Sequence, residues 1–265
     1  YEEDDRFKTR AFAQQWHGDE DAVDLTSFDC VVGFGKNKTL SQIRAACSSE
    51  SRFIGFGNRA SAGYITAQVL SNDSAMQRIA DGAARDLLLY DSQGCLSLHV
   101  LFVEGSSERD TRTFLSRLAN AAERATIEFP PGARDPASEA RRSTIRNTAA
   151  FRAATGRGAV LCDDACSFVL VYDQPADEPP AFAPRVLGII PVSAPSDAVV
   201  YLRRHAVAIE AFALSDQRAD LVEAAISAGA VRLAPFGELQ RLPVSGDHGG
   251  RPRIADFIRW IDKEI

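Results

Sequence analysis

The chain has 265 residues, 45% of them hydrophobic and 25% charged, which suits a folded protein with a sizeable core and excludes bulk disorder. A net charge of −6 argues against nucleic acid as the main partner, and no apolar run reaches the length of a membrane span. The acidic opening Tyr1-Glu2-Glu3-Asp4-Asp5 is unlike a signal peptide, and five cysteines are odd in number and too sparse for a disulfide scaffold, so reduced thiols and a cytoplasmic location are expected.

After a polar segment through Gln15, Asp29 to Gly35 reads as a short buried strand ending in glycine, and Lys36 leads into a helical pattern through Ala46. Arg52 to Gly57 reads as a second strand, closed by Asn58-Arg59-Ala60-Ser61, and Ala62 to Leu70 has helical spacing. Strand, helix and strand in succession indicate a parallel α/β sheet. At the first turn, Gly33 and Gly35 let the backbone come close to a ligand, and a helix N-terminus flanked by Lys36 and Lys38 favours an anion. Gly33-x-Gly35 lacks the third glycine of a dinucleotide fingerprint, so a plain strand-to-helix turn is the competing explanation.

Asp73 to Tyr90 reads as a helix that delivers the chain to Asp91-Ser92-Gln93-Gly94-Cys95, ahead of an apolar strand, Val100 to Val103. Cys95 therefore belongs at the mouth of a strand, where a thiol meets a substrate. Unpaired backbone N–H groups at such a glycine-bearing corner favour thiolate and receive a developing oxyanion. A small buried hydrophobe is the ordinary alternative for any one cysteine. His99 stands four residues further on and suits proton transfer or activation of the thiol, although a strand carries it away from the sulfur.

Thr111 to Ala125 reads as an amphipathic helix with Phe114, Leu115 and Leu118 on one face, and Phe129 to Pro136 as a loop. Glu139 to Ala154 follows, carrying Arg141, Arg142, Arg146 and Arg152, whose alternatives are phosphate binding and a solvated face. Ala159-Val160-Leu161 and Ser167 to Tyr172 read as a hairpin or adjacent ladder. Cys162 and Cys166 between them lack a second Cys or His pair at ligand spacing, so no metal is expected. A proline-rich link, Asp173 to Pro184, precedes a buried strand, Arg185 to Val192. Ser196 to His205 reads as a helix, Ile209 to Leu214 as a strand, Asp216 to Gly229 as a helix ended by glycine, and Ala230 to Ala234 as a closing strand. A polar, glycine-rich stretch from Gly237 to Pro252 then leads to an expected last helix, Ile254 to Ile265, with His248 in a loop able to fold back.

Gln93-Gly94-Cys95-Leu96-Ser97-x-His99-Val100-x-Phe102-Val103-Glu104 resembles the nucleophile segment of LuxC-like acyl-CoA reductases, a family of the aldehyde dehydrogenase superfamily, with Leu98 where proline is usual. Val31-Val32-x-Phe34-Gly35 followed by Thr39 resembles the family's segment beneath the cofactor pyrophosphate, with Lys36 where relatives often carry a small hydroxyl residue. Arg52-Phe53-Ile54-Gly55-x-Gly57-x-Arg59-x-Ser61 is similar to the next strand and turn. Gln240-Arg241-x-Pro243, His248-x-Gly250-Arg251-Pro252 and Asp256 to Asp262 are similar to the C-terminal signature, so the likeness covers most of the chain from Trp16 onward.

The resemblance implies an α/β, aldehyde-dehydrogenase-like fold: a partial Rossmann-type dinucleotide-binding unit over residues 1–57, an α/β thiol catalytic domain over 58–238, and a tail with a helix over 239–265. It implies reduction of an acyl-CoA or other acyl thioester to a fatty aldehyde through an acyl-Cys95 intermediate, with hydride from NADPH or NADH. His99 joins Cys95 as a catalytic candidate, Gly33, Gly35, Lys36, Thr39 and Gly57 are cofactor candidates, and the four arginines become candidates for the phosphates of coenzyme A. Gly55 to Ser61 contains no acid where the dehydrogenases place their glutamate base, which suits a reductase. The family's long region ahead of the Trp16 segment has no counterpart here, so the chain is expected to be a fragment of a longer enzyme or a shortened relative. The alternative function is a non-catalytic relative acting as a binding or assembly partner, and a homo-oligomer or a complex with another chain is expected.

Overall fold

The computed structural model describes residues 14, 23–105, 107–133, 135–173, 175, 177–258 and 261–264; the polar opening, Trp16 and the Arg259-Trp260 pair of the C-terminal signature lie outside them. The chain divides into two units, Tyr1–Gly57 and Asn58–Ile265. In the first, β1 (Cys30–Phe34), α1 (Asn37–Ala46) and β2 (Arg52–Phe56) follow one another, and β1 and β2 are parallel, with Cys30 opposite Arg52 and Phe34 opposite Phe56. Leu40 is the buried residue of α1. A Cβ on Gly33 would lie 2.9 Å from the Leu40 side chain and one on Gly55 2.9 Å from the Phe53 ring, so both glycines are needed to admit those apolar groups.

The second unit is built on a seven-stranded sheet in the order β5-β6-β7-β4-β3-β8-β9, from β3 (Ala60–Ile65), β4 (Leu98–Glu104), β5 (Ala159–Leu161), β6 (Val169–Tyr172), β7 (Val186–Val192), β8 (Ile209–Leu214) and β9 (Arg232–Ala234). Every neighbouring pair is parallel except β5 and β6. Both faces are covered, which is what continuous apolar strands require. Leu101 and Val103 of β4 point into a core with α3 (Asp73–Leu88) and α4 (Glu108–Glu128), while Val100 and Phe102 point into a second core with α6 (Pro195–Arg204) and α7 (Ala219–Ser227). The alternation is the strand period of two read off in packing partners. Ala149 of α5 (Pro136–Ala154) closes a third, smaller cluster over Val169, Val171 and Val186.

The structure corrects the sequence reading in two places. Ala60 to Ile65 is not turn and helix but a fully buried strand near the centre of the sheet, and only Ala67–Leu70 (α2) is helical. Its small residues, Ala-Ser-Ala-Gly, carry too little side chain to show a period, and they are small for a packing reason: a Cβ at Gly63 would meet the Phe236 ring at 2.8 Å. The expected last helix is, among the described residues, a single 3-10 turn, Ala255–Phe257. Ile254, Phe257, Ile258 and Ile261 have helical spacing but are exposed, and an amphipathic stripe without a core to cover it does not hold a helix.

Candidate active site

Helix α3 starts cleanly because the Asn72 side chain accepts a hydrogen bond from the Ala75 N–H, 3.0 Å. It ends at a corner where Tyr90, Asp91 and Ser92 all lie in the left-handed region, with φ of 56°, 54° and 56°. Non-glycine residues adopt this conformation at a cost of roughly 1–2 kcal/mol each, so three in a row need support from elsewhere. The support is Arg185, 1% exposed, the residue ahead of β7. Its guanidinium pairs with the Asp91 carboxylate and donates to the Phe129 carbonyl, while its backbone N–H reaches Ser92 Oγ at 3.1 Å. Ser92 Oγ in turn donates to the Leu87 carbonyl at 2.6 Å, and the Gly132 N–H donates to Asp91 at 3.0 Å.

That corner delivers Gly94, Cys95 and Leu96 to the amino end of β4. The Ser97 N–H closes the turn on the Gly94 carbonyl at 3.0 Å, and Ser61 Oγ of the neighbouring strand donates to the Cys95 carbonyl at 2.8 Å. Gln240, from the C-terminal loop, spans the same turn: its Nε2 lies 3.3 Å from the Leu89 carbonyl, 3.4 Å from the Asp86 carbonyl and 3.5 Å from Ser97 Oγ.

Cys95 is a free thiol and partly exposed. Burial pushes its pKa up and the Glu210 carboxylate adds to the rise, while the backbone N–H groups of Cys95 and Leu96 and the Arg59 guanidinium pull it down. Glu210, on β8, is itself buried and pairs with Arg59 at 3.3 Å. The thiol thus sits beside an ion pair whose two members act on it with opposite sign.

His99 is brought near the corner but not as an exposed acid or base. It is buried in β4, its Nε2 lies 3.0 Å from the Ser92 carbonyl and its ring packs edge-on to Phe182. Burial holds its pKa below the ordinary 6.5. Of the cofactor candidates, Gly33 and Gly57 are packing glycines: a Cβ at Gly57 would run into the Asn37 side chain. A Cβ at Gly35 would meet only Thr39, at 3.9 Å, leaving that side of the backbone open. Lys36 is the N-cap of the ten-residue α1, and its own side chain makes no capping hydrogen bond. Of the four arginines of α5, Arg142 is buried beside Glu139, Arg146 donates to Cys166 and Arg152 pairs with Glu178. His248 bridges Arg251 through paired backbone hydrogen bonds.

Arg185, Glu210 and the site role of Gln240 are not apparent from local sequence. Gln240 lies within the C-terminal signature, but only the folded chain brings it to Cys95's turn.

A mostly parallel sheet with helices on both faces, carrying a thiol at the amino end of its central strand, defines an α/β protein. The LuxC acyl-CoA reductase family matches residues 12–260, and the chain belongs to that family. Solved structures agree on the fold. The aldehyde dehydrogenase KauB from Pseudomonas aeruginosa superposes with a TM-score of 0.59 at 14% identity, over 78% of this chain and 44% of that one. A 1-pyrroline-5-carboxylate dehydrogenase from Thermus, solved with bound NAD, gives 0.59 at 14% identity over 82% and 44%. A bifunctional proline utilization A protein gives 0.62 at 14% identity over 86% and 26%. The chain therefore spans less than half the length of these structures. No curated protein matches the sequence.

Proposed function

We propose that the chain is the thiol-bearing part of an NAD(P)H-dependent acyl-CoA reductase, with Cys95 as nucleophile. The observation that carries the reading is the partly exposed Cys95 at a braced helix-to-strand corner, in a chain of this family. The Cys95 thiolate attacks the thioester carbonyl, coenzyme A leaves as thiolate, and an acyl-cysteine remains. Hydride addition to that carbonyl then expels the Cys95 thiolate and releases aldehyde. Sulfur suits both steps, being a strong nucleophile and a good leaving group. The Cys95 and Leu96 N–H groups that favour negative charge on sulfur are also suited to the oxygen of the tetrahedral intermediate.

A nicotinamide coenzyme, when bound, supplies the hydride. The residues that suit its phosphates are Gly35 and Lys36 at the N-terminus of α1, where helix N–H groups and a lysine favour an anion. Gly33 and Gly57 serve that turn by close packing, and Thr39 stands on the first helical turn. The acyl-thioester substrate is supported by the family alone.

The test is incubation with acyl-CoA carrying label in the acyl group. Label bound to the wild-type chain and absent from Cys95→Ala supports the reading. No label on the wild type favours the non-catalytic assembly partner, and label that survives Cys95→Ala places the nucleophile elsewhere. Because burial and Glu210 hold the thiol protonated at neutral pH, the rate of labelling is expected to rise as pH increases above neutrality.

A further inference from the structure

A second sulfur site lies on the turn between β5 and β6. Cys162 is exposed, Cys166 is partly exposed with φ 49°, and their Sγ atoms are 3.5 Å apart. The turn is held by the Cys166 N–H on the Asp163 carbonyl at 2.9 Å and by the Ser167 N–H on the Asp163 carboxylate. Arg146 of α5 places Nη1 3.0 Å from Cys166 Sγ. Two thiols at this separation, with a guanidinium against one and solvent against the other, have what thiol–disulfide exchange needs: access and a positive group to stabilise charge on sulfur. Since β5 runs antiparallel to β6 while β6, β7 and β4 are parallel, this turn lies at the same end of the sheet as Cys95. Two strand spacings, roughly 10 Å, separate β6 from β4.

We propose that Cys162 and Cys166 form an oxidisable dithiol site whose substrates are small-molecule disulfides. The Cys166 sulfur attacks one sulfur of the disulfide and releases one thiol, leaving a mixed disulfide on Cys166. The Cys162 sulfur then attacks the Cys166 sulfur, forming the internal disulfide and releasing the second thiol. Two protein thiols are oxidised, one disulfide is reduced to two thiols, and the two protons pass from the former to the latter. This reaction is independent of acyl transfer at Cys95.

The test uses the full chain with glutathione disulfide, followed by alkylation and tryptic digestion. One peptide, Gly158 to Arg185, contains both sulfurs. It is expected to appear unalkylated and two hydrogens lighter, while Cys47 remains alkylated in the same sample. Cys162→Ser is expected to stop at a stable glutathione adduct on Cys166, and Arg146→Met to slow the exchange about tenfold with the circular dichroism spectrum and urea midpoint unchanged as a check on folding. A Gly158 to Arg185 peptide that stays doubly alkylated, or that carries glutathione in the wild type without forming the internal disulfide, overturns the proposal. Either outcome leaves the acyl-labelling result at Cys95 untouched, so the two readings fail separately.

Discussion

Asp86 allows the coupling between the C-terminal loop and the Cys95 corner to be measured. It lies on the inner face of α3, 1% exposed, and accepts the Gly237 N–H at 2.6 Å and the Leu239 N–H at 3.3 Å. Its own carbonyl receives Gln240, whose side chain also supports the Cys95 turn. Burial pushes the carboxyl from an ordinary 3.8 to about 7, against the two N–H groups that pull it down. Between those values the native chain holds a proton that the unfolded chain has lost. The contribution is therefore fully present below 3.8 and is lost as pH rises through about 7. Over the whole window the displacement corresponds to about 4 kcal/mol, of which more than half falls between pH 5 and pH 8. Asp86→Asn keeps an oxygen for one N–H and does not titrate. Urea unfolding of both chains is expected to show wild type gaining about 3 kcal/mol on the variant when pH is lowered from 8 to 5. His99 works in the opposite sense, because its depressed pKa costs stability as pH falls below 6.5, but it is common to both chains and cancels. An offset between the chains that is the same at both pH values refutes the reasoning.

Three further outcomes follow from the same contacts. Glu210→Gln removes the carboxylate that holds the Cys95 thiol up, so iodoacetamide alkylation of Cys95 at neutral pH is expected to speed up, and a pH–rate profile that does not move to lower pH contradicts the assignment. Arg185→Met leaves the Asp91 carboxylate without its cation under three left-handed residues and is expected to cost about 3–5 kcal/mol in denaturant unfolding. Gly82→Ala puts a Cβ 2.6 Å from the Phe236 carbonyl carbon, which pushes the C-terminal loop off α3. It is expected to cost about 1–3 kcal/mol by the same assay and to expose Leu239 to hydrogen exchange.

The elements with strong local signals were legible in the sequence. Helix α3 has apolar residues at helical spacing, the strand expected over Ile209 to Leu214 coincides with β8, and the glycine stop of α7 stands at Gly229 with φ 90°. Ala60 to Ile65 was not legible, because a strand made small to admit Phe236 shows neither period nor bulk. The last helix failed for the converse reason: Ile254, Phe257, Ile258 and Ile261 supply a period, but among the described residues they are exposed rather than packed. Local pattern reports what a segment offers, while burial depends on a partner far along the chain.

The candidate site divides along the same line. Cys95, Gly94 and the helix-to-strand corner are sequence neighbours and could be read together, but the groups that set the thiol's environment come from Arg59, Arg185, Glu210 and Gln240. Glu210 in particular sits in an apolar strand, Ile-Glu-Ala-Phe-Ala-Leu, where a lone acid reads as a solvent-facing residue. Instead it is buried against Arg59, beside Cys95. A carboxylate is not kept inside a core without a cation, and Arg59 is that cation, so each member of the pair requires the other. The electrostatic setting of Cys95 therefore depends on the register between β3 and β8, which places Ala60 opposite Ile209 in parallel and so sets Arg59 two positions behind Glu210, within reach of its carboxylate at 3.3 Å. A one-residue slip of β8 would turn Glu210 to the opposite face of the sheet and leave both charges unpaired.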